Sequence, residues 1–172
     1  MALAYFITFS TYGTWLHGTG KGLGSVDPEH NDYGGEFVEA NPALEKEMRE
    51  SMTQPEYKLD AAHRAVVRDA IVNLAKEKGW QLLAIHVRSN HVHVVITADR
   101  EVNRLMSELK ARASRDLTLA GFENVDRKRW TRHGSTQHLF TNAEVERKVE
   151  YTLYEQGTPM AWYDGRNEPS AN

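Results

Sequence analysis

Arg88-Ser89-Asn90-His91-Val92-His93-Val94-Val95-Ile96-Thr97 follows directly on Trp80-Gln81-Leu82-Leu83-Ala84-Ile85-His86-Val87. Two apolar, β-branched runs joined by a three-residue polar turn read as an antiparallel hairpin, because so short a connection leaves no room for a parallel crossover. Side chains alternate faces along a strand, so residues two apart point the same way. Val92, Val94 and Ile96 then face a core, and His91 and His93 stand side by side on the other face. Two imidazoles at that spacing form half of a metal site, or else decorate an exposed strand face.

Working outward from the hairpin, Asp60 precedes a helix in which Ala62, Val66, Val67, Ala70, Ile71 and Leu74 recur at helical spacing, with Gly79 as its C-terminal cap. On the other side Asp99 is the expected cap of a helix carrying Val102, Leu105, Met106 and Leu109, running to about Leu117. Residues 4–12 are aromatic and β-branched and read as the first strand. Trp130 to Phe140 reads as the last strand, bent at Gly134. Asn142 is the expected cap of a final helix with the stripe Val145, Val149 and Leu153, stopped by Gly157 and Pro159. The order β-α-β-β-α-β-α is that of an α+β, ferredoxin-like (split βαβ, RRM-like) antiparallel sheet with an added C-terminal helix. Helices are expected on one face, leaving all or part of the other free for a substrate. Residues 1–159 are read as a single domain interrupted by a long acidic insertion at about 17–58, where Pro42 opens a short helix reaching about Met52. Residues 160–172 read as a loosely held tail.

At 172 residues the chain suits one domain with a full core. It has no cysteine, which excludes disulfides and cysteine-ligated zinc or iron–sulfur centres. The start lacks a basic leader and no apolar run reaches the ~20 residues of a membrane span, so a cytoplasmic protein with no membrane partner is expected. The net charge is −3, unevenly spread. Residues 1–60 carry 4 Lys/Arg against 10 Asp/Glu, whereas residues 100–133 carry 9 against 5. The second stretch holds Lys110, Arg112, Arg115, Arg127, Lys128, Arg129 and Arg132 around Trp130 and His133. It reads as a solvated mixed surface or as a face that tracks a sugar–phosphate backbone, with Trp130 stacking on a base.

No further histidine follows at catalytic-zinc spacing, which argues against a closed zinc site. Two histidines, one oxygen ligand and substrate phosphate oxygens would suit Mg²⁺ or Mn²⁺. On the final helix Tyr151 and Glu155 lie four apart, with Lys148 three residues before the tyrosine and Tyr154 on a neighbouring face. Beside a histidine pair a tyrosine hydroxyl is a candidate nucleophile, and Glu155 or Gln156 a candidate third metal ligand.

These residues carry a family resemblance. Asn90-His91-Val92-His93-Val94-Val95 resembles the histidine–hydrophobic–histidine motif of the single-tyrosine HUH transposases. Ser107 to Arg115, with Lys110 and Ser114, is similar to the basic "LKG-x-S" helix that follows the motif, and the helix with Tyr151 is similar to the one bearing the nucleophile. The resemblance spans roughly residues 4–157 and is nearest to the REP-associated tyrosine transposases and related small insertion-sequence transposases. It implies cleavage and rejoining of single-stranded DNA beside a hairpin. A 5′-phosphotyrosine forms and a 3′-OH is freed, with a metal held by His91, His93 and a polar residue of the tyrosine helix. Tyr151 corresponds to the nucleophile and Tyr154 is the runner-up. The family often has glutamine four residues after its tyrosine, where this chain has Glu155 and places Gln156 one further on. A homodimer exchanging its final helices would leave the same signature. Two other readings stay open: a non-catalytic RNA- or DNA-binding module, and a metal-dependent phosphoesterase that uses water.

Overall fold

A computed structural model describes residues 1–14 and 42–167. The elements in chain order are β1 (Ala4–Ser10), α1 (Pro42–Glu50), α2 (Ala61–Lys78), β2 (Gln81–Val87), β3 (His91–Thr97), α3 (Val102–Leu119), β4 (Ser135–Leu139), α4 (Asn142–Tyr154) and β5 (Ala161–Asp164). The strands form a sheet of order β4-β1-β3-β2-β5, antiparallel at every junction. The first four strands in that order are the expected split βαβ sheet, and the hairpin of β2 and β3 lies within it. The part of the acidic insertion before residue 42 lies outside the described residues.

Two apolar layers sandwich the sheet. Ile7 and Phe9 of β1, Ile85 and Val87 of β2, and Val92, Val94 and Ile96 of β3 pack against Val67 and Ile71 of α2 and Leu105 and Leu109 of α3. Fully burying side chains of this kind contributes about 1.5–3 kcal/mol each. The opposite face is covered only in part, by α4: Val149 and Leu153 rest on Ala4, Phe6, Ala84, Val95 and Leu139. A register shift between Leu82 and Ala84 lets Leu82 join the α2 side although Ala84 faces α4.

Local signals explain most element ends. The Asp60 side chain accepts from the His63 backbone N–H, and Gly79 closes α2 in the left-handed region at φ 68°. Two expected caps are displaced. The N-cap of α3 is Glu101, whose carboxylate accepts from the Asn103 and Arg104 N–H groups, rather than Asp99. Asp99 instead accepts from the Trp80 indole N–H. The N-cap of α4 is Thr141, in a capping box with Glu144, rather than Asn142. In both cases the residue immediately before the first helical one takes the first free N–H groups, in place of an Asx residue two positions earlier or one position later. The last strand is shorter than expected, since Trp130 makes only an isolated bridge to Thr11 before β4 begins at Ser135.

The larger correction concerns residues 161–167 of the expected tail, whose last five residues, 168–172, lie outside the described residues. Residues 161–167 are not loosely held: β5 pairs with β2, from Ala161 opposite Val87 to Asp164 opposite Ala84. Arg166 then bonds Asp164 at 2.8 Å and reaches Glu146 and Glu150 of α4 at 3.2 and 3.4 Å. Four residues, of which only Trp162 and Tyr163 favour a strand, are too few to give a signal alone; the open edge of β2 supplies the partner. Among the described residues no helix is long and apolar enough to cross a membrane.

Gly165 sits against the Leu82 carbonyl so closely that a Cβ there would overlap it. Gly165→Ala is therefore expected to loosen β5 and to cost about 1–3 kcal/mol of unfolding free energy, as overpacking does. Urea titration and hydrogen exchange of the 161–164 amides check this, and unchanged protection of those amides would contradict the docking described.

Candidate active site

Strand alternation puts His91, His93 and Val95 on the α4 side of the sheet, with Val95 under the helix and the histidines toward its last turn. Both histidines are buried, at 8% and 6% exposure. Each ring is held at its Nδ1. His91 Nδ1–H donates to Asn90 Oδ1 at 2.7 Å, and His93 Nδ1 shares a 2.7 Å hydrogen bond with the hydroxyl of Thr8, its cross-strand partner. Fixing Nδ1 in this way orients Nε2, the nitrogen left to act as a ligand. The two rings are 4.7 Å apart and nearly perpendicular. Burial first, then the Arg88 charge, pushes His91 down to about 4, and burial, then His91, pushes His93 down to about 3. At neutral pH both imidazoles are thus neutral, the form that binds a metal.

α4 brings Tyr151 to this pair. Its ring meets His93 edge-on with centroids 5.7 Å apart, and Phe6 at 5.9 Å, while Phe6 stacks on His93 at 5.6 Å. The tyrosine is half-buried and packs against the apolar layer under α4. Tyr154 is 62% exposed. Lys148 Nζ lies 4.6 Å from the Phe6 centroid and 5.4 Å from that of Tyr151. Burial, then the Arg147 charge, lowers the Lys148 pKa, and Glu155 opposes the shift.

The end of α4 separates the two candidate third ligands. The helix stops at Tyr154 and Glu155 leaves helical geometry at φ −109°, ψ 18°. Its carboxylate turns to Arg147 Nη1 at 2.7 Å, so Glu155 does not share the Tyr151 face. The extra residue instead swings Gln156 under the helix end. Its Nε2 donates to the Tyr151 carbonyl at 3.1 Å, and its side chain lies near enough to His91 and His93 to oppose the lowering of their pKa values. Among the described residues no group of three His, Cys, Asp or Glu side chains could hold a metal ion, so a set built here needs the amide oxygen of Gln156.

A family model described as "Transposase IS200 like" matches residues 48–151, from the end of α1 through the histidine pair to Tyr151. The chain belongs to the IS200-like transposase family. Among solved structures this family member is similar to a REP-associated tyrosine transposase bound to a REP hairpin, at 12% identity and a TM-score of 0.46 over 88% of this chain. It is also similar to a putative transposase from Deinococcus radiodurans R1, at 14% identity and a TM-score of 0.44, over 88% of this chain and 92% of that one. The chain spans 65% of the length of the first of these. No curated protein matches it.

Of the transposase's basic cluster, Lys110, Arg112 and Arg115 belong to α3, which packs on the face of the sheet opposite the histidines. Several of those side chains are committed within the fold. Lys110 Nζ donates to the Thr131 and His133 carbonyls at 3.0 and 3.1 Å, and burial pushes its pKa down to about 8. Arg112 pairs with Glu77 at 2.7 Å and Asp116 at 3.1 Å, which hold its pKa above the usual range. Arg127 donates to Gln54 Oε1 and the Pro55 carbonyl, and Lys128 to Thr53 Oγ1. Arg129 is buried and donates to the Phe122 carbonyl. Trp130 meets Phe9 edge-on and donates its indole N–H to Ser114 Oγ, so it is a packing residue here. Arg115 and Arg132 are exposed. Thr8 and Phe6, which shape the site, escape a reading of the sequence because only the β1–β3 register brings them to His93.

The lowered histidine pKa values have a defined sign. Below the ordinary value near 6.5 the unfolded chain takes up protons that the folded chain refuses, until the folded values of about 4 and about 3 are reached. Stability is therefore full above about pH 6.5 and is lost as pH falls through the folded values. Urea midpoints measured between pH 7.5 and 4.5 are expected to fall for the wild type, and less steeply for a His91→Leu, His93→Leu double variant. Equal slopes would show that these rings are not the source.

Proposed function

We propose that this transposase is a metal-dependent single-stranded DNA endonuclease and strand transferase with Tyr151 as its nucleophile. The observation that carries the reading is the convergence, within one chain, of Tyr151, His91, His93 and Gln156. The fit to a divalent cation rests on two neutral imidazoles fixed through Nδ1 and one side-chain amide oxygen, a set that leaves coordination positions for water and phosphate oxygens. His91, His93 and Gln156 would hold Mg²⁺ or Mn²⁺, and when bound the ion supplies polarisation of the scissile phosphate. Glu155, paired with Arg147, is the weaker candidate.

In the proposed reaction the Tyr151 phenol oxygen attacks the scissile phosphorus. A bond forms between the phenol oxygen and the 5′-phosphate, the bond from phosphorus to the 3′-oxygen breaks, and the phenol proton is lost as that oxygen leaves as a 3′-OH. Attack by another 3′-OH on the phosphotyrosine rejoins DNA and restores the phenol. Phe6 and His93 hold the tyrosine ring, and Lys148 adds positive charge beside it for a bound phosphate. The same-chain proximity of Tyr151 and His93 supports action on the chain's own histidines, without a helix exchanged in a homodimer. Family membership supports DNA as the partner; hairpin DNA, and a cytoplasmic location alongside it, are part of the proposal. Arg115, Lys128 and Arg132 are the exposed members of the basic cluster and would be the ones to meet a DNA backbone, Arg115 from beside Asp116 and Lys128 from beside Thr53.

Labelled single-stranded hairpin DNA, incubated with Mn²⁺ and run on a denaturing protein gel, tests the reading. Wild type and Tyr154→Phe are expected to form an adduct. Tyr151→Phe should form none while binding DNA within about threefold of wild type, as removal of a nucleophile but not of binding contacts requires. Gln156→Ala should need about tenfold or more Mn²⁺ for half-maximal adduct, with Glu155→Ala close to wild type. Cleavage without any adduct would favour the water-using phosphoesterase. Binding unaffected by EDTA, with no cleavage, would favour the non-catalytic module.

A further inference from the structure

A third histidine lies against this site and has no part in the proposed reaction. His86, on β2, is fully buried and is the cross-strand partner of His93. Its ring faces α4, and both nitrogens are satisfied by backbone. The Met160 N–H donates to Nε2 at 3.0 Å, so Nδ1 carries the ring proton and donates to the Thr152 carbonyl at 2.9 Å. Thr152 adjoins Tyr151 in the last turn of α4, where carbonyls lack helical partners. Met160 directly precedes β5 and follows Gln156 by four residues. One imidazole thus grips the chain just after Tyr151 and again just after Gln156.

Other contacts act on the same short segment. Gln156 ties back to the Tyr151 carbonyl, and the Arg88 guanidinium donates to the Thr158 carbonyl. His86 is the contact that joins both ends of the segment to a single rigid point, and that point neighbours His93 in the sheet. A neutral imidazole suits the task because it offers one donor and one acceptor on opposite sides of a flat ring. An apolar residue of similar volume would fill the space but orphan the buried Thr152 carbonyl and the partly buried Met160 N–H.

We propose that His86 is a positioning residue, which fixes the Tyr151 ring and the Gln156 amide relative to His91 and His93. The inference rests on the function proposed above, since positioning has meaning only if those four residues act together. A displacement of about 1 Å in such a constellation is enough to slow a reaction about a hundredfold.

The test compares His86→Phe and His86→Gln with Val149→Ala, which thins the packing of α4 without touching the bridge. Four properties are followed in the full chain: thermal midpoint, hydrogen exchange of the 150–160 amides, Mn²⁺ affinity by calorimetry without DNA, and single-turnover adduct formation at saturating hairpin DNA. For His86→Phe, exchange at 152–160 should rise, Mn²⁺ affinity should fall about tenfold, and adduct formation should slow about thirtyfold or more while the DNA Kd stays within about twofold. His86→Gln, which keeps a donor and an acceptor, should recover part of the rate. Val149→Ala should lose stability but keep its rate within about threefold. Equal rate losses in His86→Phe and Val149→Ala at equal loss of thermal midpoint would make His86 structural only and overturn the proposal. If wild type forms no adduct, the proposed function fails; His86 is then judged on exchange and Mn²⁺ affinity, and no change in either for His86→Phe overturns its role as well. Should the variants not fold, ring-nitrogen NMR of the wild type decides, because an Nε2–H tautomer at His86 is incompatible with the bridge.

Discussion

The antiparallel pairing of β3 with β1 on one side and β2 on the other is the constraint on which everything else depends. Through it Thr8, His93 and His86 lie in one row across the sheet. Because side chains alternate, a slip of one residue would send His91 and His93 into the α2–α3 core and Val92, Val94 and Ile96 toward α4. The apolar layer therefore does more than stabilise. By demanding three aliphatic side chains on one face of β3, it dictates where the two imidazoles stand and which residues can approach them.

The second face is organised differently from the first. The α2–α3 side is a continuous apolar core, whereas the α4 side grades from Val149 and Leu153 through Phe6 and Tyr151 to the histidines and Gln156. That gradient explains how a polar constellation sits in a buried place. The aliphatic half anchors α4 to the sheet, and the last turn, where backbone carbonyls need partners, takes its hydrogen bonds from Gln156 and His86. The end of the helix thereby becomes polar without becoming loose.

How far the sequence could be read follows from which forces are local. Alternation in 91–97, the helical spacing in 61–78 and the Gly79 cap are set by residues close in the chain, and the split βαβ order was legible from them. The histidine pair was legible for the same reason. Glu101 and Thr141 displaced the expected caps because capping is a competition among neighbouring polar residues that a residue list does not rank. The third-ligand ambiguity between Glu155 and Gln156 turned on where α4 ends, and Arg147 then drew Glu155 away. The charge of the 100–133 stretch was visible, but not that Lys110, Arg112, Arg127 and Arg129 satisfy their charge on carbonyls and carboxylates brought from other elements.

The docking of β5 bears on how the molecule behaves among its own copies. The inner strands β1, β3 and β2 run seven residues each, and long open edges of that kind invite pairing with another chain. Here the strands at the two margins are β4, of five residues, and β5, of four. Short margins blunt the sheet. The segment from Ala161 to Asp164 thus serves as a stopper for the β2 edge, and while it stays in place that edge offers no long row of free backbone groups to another chain.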